Sequence, residues 1–364
     1  MSNSESETRS LHAVILAGGA GTRFWPASRR ERAKQFLPIL GGATMVERTL
    51  DRLGELIPPQ RRWIVTDSIG ANQVRKLNLE LPEEQVLVEP VARDTAPAIV
   101  WSALRVRSVD PKARTLVLPA DHAISPPEAF QEAVRRADRY IDRTGGLLTF
   151  GILPDSPHTG YGYIQRESAL EGSDAQGIFS VDRFIEKPSL EKAREYVEGG
   201  RCYWNSGMFL WRVEDLLSEF GRQWPETGKC LEGLAEAGAS LEKQKRDYES
   251  LPKTSIDYGV MEKASSVVVL PVSFDWDDVG SWAALPRHRA ADDCGNVVVG
   301  EHLGIDTEES VVFSEGDHLV ATLGVRDLVI VRTADVTLVC SRDRAEEVKR
   351  LVEALREQGG EDRT

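Results

Sequence analysis

Along the first half of the chain, short runs of apolar, β-branched residues alternate with segments whose apolar positions recur every three to four residues. HAVILAG (12–18), RRWIVTD (61–67), QVLVEP (85–90), TLVLPAD (115–121) and LLTFGI (147–152) have the length and composition of buried strands. TMVERTLDRLGEL (44–56), APAIVWSALRVRSV (96–109) and PEAFQEAVRRADRYIDR (127–143) carry helical spacing between them. This alternation predicts an α/β fold: a Rossmann-like, mostly parallel mixed sheet flanked by helices. Such sheets take ligands beyond the carboxyl ends of their strands, where Gly18, Gly19, Glu89 and Asp121 fall.

From about 151 to 290 the pattern is less regular, with YGYI, VDRFIEKP and WNSGMFLW set among helical stretches. These pieces are expected to extend the same domain, 11–290, and roof its pocket. Past DDCG (292–295) come five Val-rich strands, NVVVG, SVVFS, HLVATLG, DLVIVRT and VTLVCS, and then an amphipathic helix, RAEEVKRLVEALREQ (344–358). Residues 295–358 are therefore expected to form a small β-rich unit capped by a terminal helix.

Charge narrows the partners. The chain has 364 residues and a formal net charge of -13, which argues against nucleic acid or an anionic membrane surface as partner. No apolar run approaches the ~18 residues of a membrane span. The first ten residues, MSNSESETRS, read as a frayed polar tail. Cys202, Cys230, Cys294 and Cys340 form no CxxC pair, which favours free thiols and a cytoplasmic setting.

Against this acidic background, LHAVILAGGAGTRFWPASRRERAKQFLPIL (11–40) places Arg23, Arg29, Arg30, Arg32 and Lys34 directly behind a glycine turn. The stretch is not a dinucleotide fingerprint, because Phe24 occupies the sixth position from Gly19, and no Walker pattern occurs in the chain. What remains is a turn whose backbone N–H groups can approach an anion, followed by an arginine suited to phosphate oxygens.

This signature resembles that of the sugar-phosphate nucleotidyltransferases, G-G-x-G-[ST]-R-[LF]-x-P followed by K-x-[FL]-L-P. EPVARDTAPAI (89–99), FIEKP (184–188), WNSGMF (204–209) and DWDDVGSW (275–282) are similar to motifs of its mannose-1-phosphate guanylyltransferase branch, over about residues 11–355. Two positions depart from the pattern: Ala33 stands where proline is usual, and Asp94 where asparagine is common.

The resemblance implies transfer of GMP from GTP to mannose 1-phosphate with Mg²⁺, by direct in-line attack on the α-phosphorus. Another sugar 1-phosphate, such as one leading to a GDP-heptose, and a catalytically silent nucleotide-sensing subunit are the alternatives. The chain lacks the isomerase domain of longer relatives, so transferase activity alone is expected. The nucleotide is expected at Leu16, Ala17, Gly18, Gly19, Gly21, Thr22, Arg23, Glu89, Arg93, Asp94, Thr95 and Asp121. Arg23 and Lys34 are expected to neutralise the triphosphate, with Arg29, Arg30 and Arg32 adding attraction. The sugar is expected at Gly162, Glu186, Lys187 and Asn205, the lysine holding its phosphate. Asn205 is singled out because an amide among aromatics must find partners. His122 and the other histidines show no metal spacing and are left structural.

Asp121 and Asp278 are the expected metal pair. Gly280 would let the chain turn so that Asp278 points inward, while Asp275 and Asp277 are read as turn or surface residues, with Asp277→Asn mild. The β-rich tail resembles a short left-handed β-helix-like element, which implies a homodimer.

Overall fold

The computed structural model describes residues 10–173, 175–236 and 240–364; the segment read as a frayed tail lies outside them except for Ser10. The strands of the main sheet are β1 (Leu11–Leu16), β2 (Arg62–Thr66), β3 (Val86–Val88), β4 (Arg114–Pro119), β6 (Leu147–Ile152), β7 (Tyr163–Ala169), β8 (Phe179–Ile185), β9 (Cys202–Arg212) and β10 (Val267–Val272). A short antiparallel ribbon pairs β5 (Ala123–Ser125) with β11 (Asp275–Asp277), far apart in the chain. The sheet order is β3-β2-β1-β4-β9-β6-β10-β8-β7. All strands but β9 and β8 run in one direction, so the sheet is mostly parallel, as the alternation predicts.

Alternate residues along the strands enter different cores. Leu11, Ala13 and Ile15 of β1 pack with the helices Met45–Leu53 and Pro127–Thr144, whereas Val14 faces the helix Thr95–Val109. A strand covered on both faces needs a continuous apolar run, which is why no polar residue interrupts AVIL. The Met45–Leu53 helix starts with a capping box, Thr44 with Glu47. Sequence reading passed over the helix Ser68–Lys76, whose face toward β3 is short and weakly apolar. The irregular middle supplies β7, β8 and β9, and β9 lies between β4 and β6 in the centre of the sheet.

The C-terminal strands are β12 (Val297–Val299), β13 (His302–Glu308), β14 (Val311–Ser314), β15 (Val320–Arg326), β16 (Leu328–Arg332) and β17 (Thr337–Ser341). β12, β14 and β16 pair in parallel, and β13 pairs in parallel with β15, so the chain coils between two faces; β17 closes the first face antiparallel. The coil is β-helix-like, and the helix Val348–Glu357 caps it. Its core continues into Phe24, Trp25, Leu37 and Ile39 of the glycine-turn segment and into Val279 and Trp282. Among the described residues, the four cysteines are free and no helix is long and apolar enough to cross a membrane.

Candidate active site

Past β1 the chain enters the glycine turn. Gly21 has φ 58, and a Cβ there would collide with Lys34 Cβ, so this position demands glycine for both conformation and space. Arg23 follows on an exposed 3-10 turn, and none of the described residues pairs with its guanidinium. Lys34 is the opposite case. It is 5 % exposed, and its ammonium donates to Asp121 Oδ2 at 2.8 Å and to the Asp278 carbonyl at 2.7 Å. Gln35 fixes the same turn to β1 by donating to the Ala17 carbonyl at 2.9 Å.

Arg29 and Arg32 are each engaged by a carboxylate, while Arg29 and Arg30 line the hollow beside the glycine turn. Arg29 is paired with Asp335 at 2.8 Å and Arg32 with Glu315, both carboxylates belonging to the C-terminal coil. The charge behind the glycine turn thus has two destinations, the pocket and the neighbouring coil.

Leu16, Gly18, Gly19, Glu89, Arg93, Asp94, Thr95 and Asp121 line one cavity of about 460 Å³ at the carboxyl ends of β1, β3 and β4. Ala17 and Thr22 line an adjoining hollow with Gly18 and Gly19, while Gly21 and Arg23 line neither. Asp94 has φ 69 and ψ -174, a region that is essentially reserved for glycine and strained for a side chain, and its carboxylate accepts from the Thr95 N–H at the start of the helix Thr95–Val109. The opposite wall was missed by sequence reading. Thr95 Oγ1 accepts from Ile256 N–H, Arg93 donates to the Leu251 carbonyl, and Tyr248 O–H donates to Glu89. Burial pushes the Glu89 carboxyl above its ordinary value.

The expected sugar residues meet on the other side of β9. A Cβ on Gly162 would run into Glu186 Oε1, so the space the glycine leaves belongs to that carboxylate. Burial, then the nearby Asp257 charge, raise the Glu186 carboxyl. Asn205 already has its partners: Nδ2 donates to Asp257 Oδ1 at 2.7 Å and Oδ1 accepts from Gly207 N–H. The partners that an amide in this setting is expected to need are thus supplied by the protein itself, with one amide proton left over. Asp257 also lines the cavity of about 460 Å³ and so forms a shared wall between it and the expected sugar residues. Lys187 is exposed at φ 43.

At the metal pair two further corrections arise. Gly280 is not the left-handed residue; buried Val279 is, at φ 46, a strained state for a β-branched side chain. Asp277 is not a surface residue either, being 6 % exposed, although it does serve the turn. Its Oδ1 accepts the Val279 N–H at 2.6 Å, and its Oδ2 meets Arg287 at 2.6 Å and His288 at 2.8 Å. Burial would raise the Asp277 carboxyl, but these partners hold it below its ordinary value. Asp275 is exposed, as expected.

Asp278 then faces Tyr161, whose O–H donates to Oδ1 at 2.9 Å. Tyr161 stacks on His158 at 3.9 Å and stands edge-on to Trp204 and Trp276. His122, left structural from the sequence, flanks Asp121 and accepts from Trp276 Nε1, so its imidazole anchors the β5–β11 ribbon. Burial tends to raise the Asp121 carboxyl, but Lys34 and then His122 bring it below its ordinary value.

Two hard carboxylates beside one ammonium leave negative charge uncompensated. Among the described residues no cluster of three or more His, Cys, Asp or Glu could hold a metal by itself. The two carboxylates suit a magnesium-type site, in which one or two carboxylates are completed by substrate phosphates.

A parallel sheet with a glycine turn, a free arginine, a buried lysine and a carboxylate pair at one edge defines a nucleotidyltransferase, a class that generally works with a divalent metal. Residues 12–293 match the nucleotidyl transferase family model and residues 300–355 the MannoseP isomerase/GMP-like beta-helix domain. The chain belongs to the mannose-1-phosphate guanylyltransferase family. It is 42 % identical over 363 residues to mannose-1-phosphate guanylyltransferase ManC of Salmonella typhimurium, covering 96 % of this chain and 74 % of that protein. It is 41 % identical to mannose-1-phosphate guanylyltransferase of Escherichia coli K12, with the same coverage. The crystal structure of a mannose-1-phosphate geranyltransferase from Thermus thermophilus superposes with TM-score 0.85 at 38 % identity, covering 95 % of this chain and 99 % of that one.

Proposed function

We propose that the protein transfers GMP from GTP to mannose 1-phosphate, releasing pyrophosphate, with Mg²⁺ as the divalent ion. The observation that carries this reading is the closed circuit of contacts around Lys34. Its ammonium joins Asp121, at the nucleotide cavity, to Asp278; Tyr161 joins Asp278 to the Gly162 side; and Asp257 joins Asn205 back to the nucleotide cavity.

Both reactants are anions, so catalysis is chiefly charge neutralisation and positioning. Arg23 and Lys34 neutralise the triphosphate and the departing pyrophosphate. Lys187 holds the phosphate that attacks the α-phosphorus in line. Glu186 accepts from sugar hydroxyls, and Asn205, braced by Asp257, keeps its second amide proton for another. Asp121 and Asp278 would hold Mg²⁺, which when bound withdraws charge from the α-phosphate oxygens. The test is a panel of nucleoside triphosphates and sugar 1-phosphates scored by pyrophosphate release. Turnover confined to GTP with mannose 1-phosphate supports the reading, and a better sugar phosphate replaces it.

The coil gives this proposal a homodimer. Leu303, Ile305 and Leu323 lie on the β13–β15 face at 56 %, 56 % and 71 % exposure, an apolar strip suited to a second copy. The free cysteines suit a reducing cytoplasm.

A further inference from the structure

Two segments must hold a fixed distance for the chemistry proposed above: the loop that carries Arg23 and Lys34, and the turn that presents Asp278. Both rest on a third body. Phe24 and Trp25 of the loop, and Val279 and Trp282 beyond the turn, are buried in the same cluster as Val297, Val311 and Phe313 of the coil. Trp282 is fully buried at the junction. Its indole N–H donates to the Trp25 carbonyl at 3.2 Å, and its ring lies 5.0 Å from Phe24 and 4.9 Å from Phe313.

Outside this stack are two clamps. Arg29 donates from Nε to the Pro26 carbonyl at 2.6 Å, within its own loop, and from Nη2 to Asp335 at 2.8 Å, on the coil. Arg32 pairs with Glu315, whose backbone carbonyl accepts from Arg332 at 2.9 Å. Both arginines fall between Arg23 and Lys34 in the chain, so the loop is fastened in the middle while its two phosphate-facing cations project from either side.

We infer that the C-terminal coil is a mount that sets the Arg23–Lys34 loop in register with the Asp278 turn. Trp282, Arg29 and Arg32 are its positioning residues. The inference rests on the functional reading for its kinetic consequence, but the mount itself is a property of the free protein. Half-exposed ion pairs add little to global stability, whereas a misplacement of about 1 Å at a reacting centre costs on the order of 10²-fold in rate. Loss of a clamp should therefore show in the loop and in turnover before it shows in melting temperature.

The experiment compares Arg32→Glu, Glu315→Arg and the double swap, by amide hydrogen exchange of residues 18–34 without substrate, kcat/KM for GTP, and melting temperature. Each single variant should exchange faster through the loop and lose about tenfold in kcat/KM with little change in melting temperature, and the swap should restore both, as coupled residues do. Trp282→Phe, which keeps one aromatic ring but loses the N–H and part of the buried indole volume, should loosen the loop in the same direction; if that variant fails to fold, the ion-pair set decides alone. Unchanged loop exchange in both single variants, or a double swap whose losses multiply, overturns the mount. A parent enzyme inactive with GTP and mannose 1-phosphate, but with clamp-dependent loop exchange, overturns the functional reading and leaves the mount standing.

Discussion

Lys34→Met removes one charge and keeps the length of the side chain. At 2.8 Å from Asp121 the gross Coulomb attraction is about 6 kcal/mol at an effective dielectric of ~20. Asp121 is 36 % exposed, and water screens much of that. A charge-assisted hydrogen bond of this kind nets about 1.5–3 kcal/mol. For a chain of this size, that loss lowers the melting temperature by about 2–4 °C. Catalysis should suffer more, because the ammonium also faces the developing charge on the phosphates: loss of one such donor costs about 10²–10³ in turnover. The assay is pyrophosphate release at saturating GTP and mannose 1-phosphate, corrected for folded protein by circular dichroism. A folded Lys34→Met enzyme within about threefold of the parent would refute the placement of Lys34 at the reacting phosphates.

Arg23→Ala should lose about 10²-fold or more in turnover with no change in melting temperature, since Arg23 is exposed and pairs with none of the described residues. Asp278→Asn should raise the Mg²⁺ concentration needed for half-maximal rate, seen by metal titration, because one charged donor becomes neutral. Asp277→Asn should also be damaging, against the expectation from sequence: it leaves Arg287 and His288 without their shared buried partner, and a melting temperature equal to the parent's would contradict this. The Glu89 carboxyl is raised by burial, so its contribution to stability is present below its ordinary value of 4.5 and fades as pH rises through the folded value; Glu89→Gln should match the parent in melting temperature near pH 4 and exceed it at pH 8. Leu323→Asp should shift sedimentation from dimer toward monomer if the β13–β15 face is the dimer contact.

Most of the sheet could be read from the sequence because most early strands are buried on both faces. They stand between helices that are either strongly striped, as Met45–Leu53 and Pro127–Thr144 are, or apolar nearly all round, as Thr95–Val109 is. The middle could not be ordered that way. β9 is antiparallel to both its neighbours and is inserted between strands that precede it, so its place depends on pairing across long sequence distances rather than on local pattern. The β13 strand went unread because its HLGIDTE run is exposed on nearly every residue, including the apolar ones. The side of the site built on short motifs was legible, since glycine turns and strand-end carboxylates are local features. The wall formed by Tyr248, Ile256 and Asp257 was not, for those residues sit in a polar helical stretch and are brought to the cavity by long-range contacts with Glu89, Thr95 and Asn205.

The Asp278 turn shows why residue type alone misassigned the strained position. Glycine is the ordinary solution for a positive φ, and Gly280 stands one residue away, so the local rule points to it. The structure instead places Val279 there, its side chain sealed in the cluster shared with the coil and its N–H taken by Asp277. A glycine could adopt the same φ, but it would give up the apolar side chain that seats the turn on the coil core. Valine accepts strain of about 1–3 kcal/mol in return for a fixed seat. The strained residue lies directly beside the carboxylate it serves. Its cost is carried by Arg287, His288 and the coil core, so the turn that presents Asp278 is held rigid by contacts of the fold itself and needs no ligand to set it.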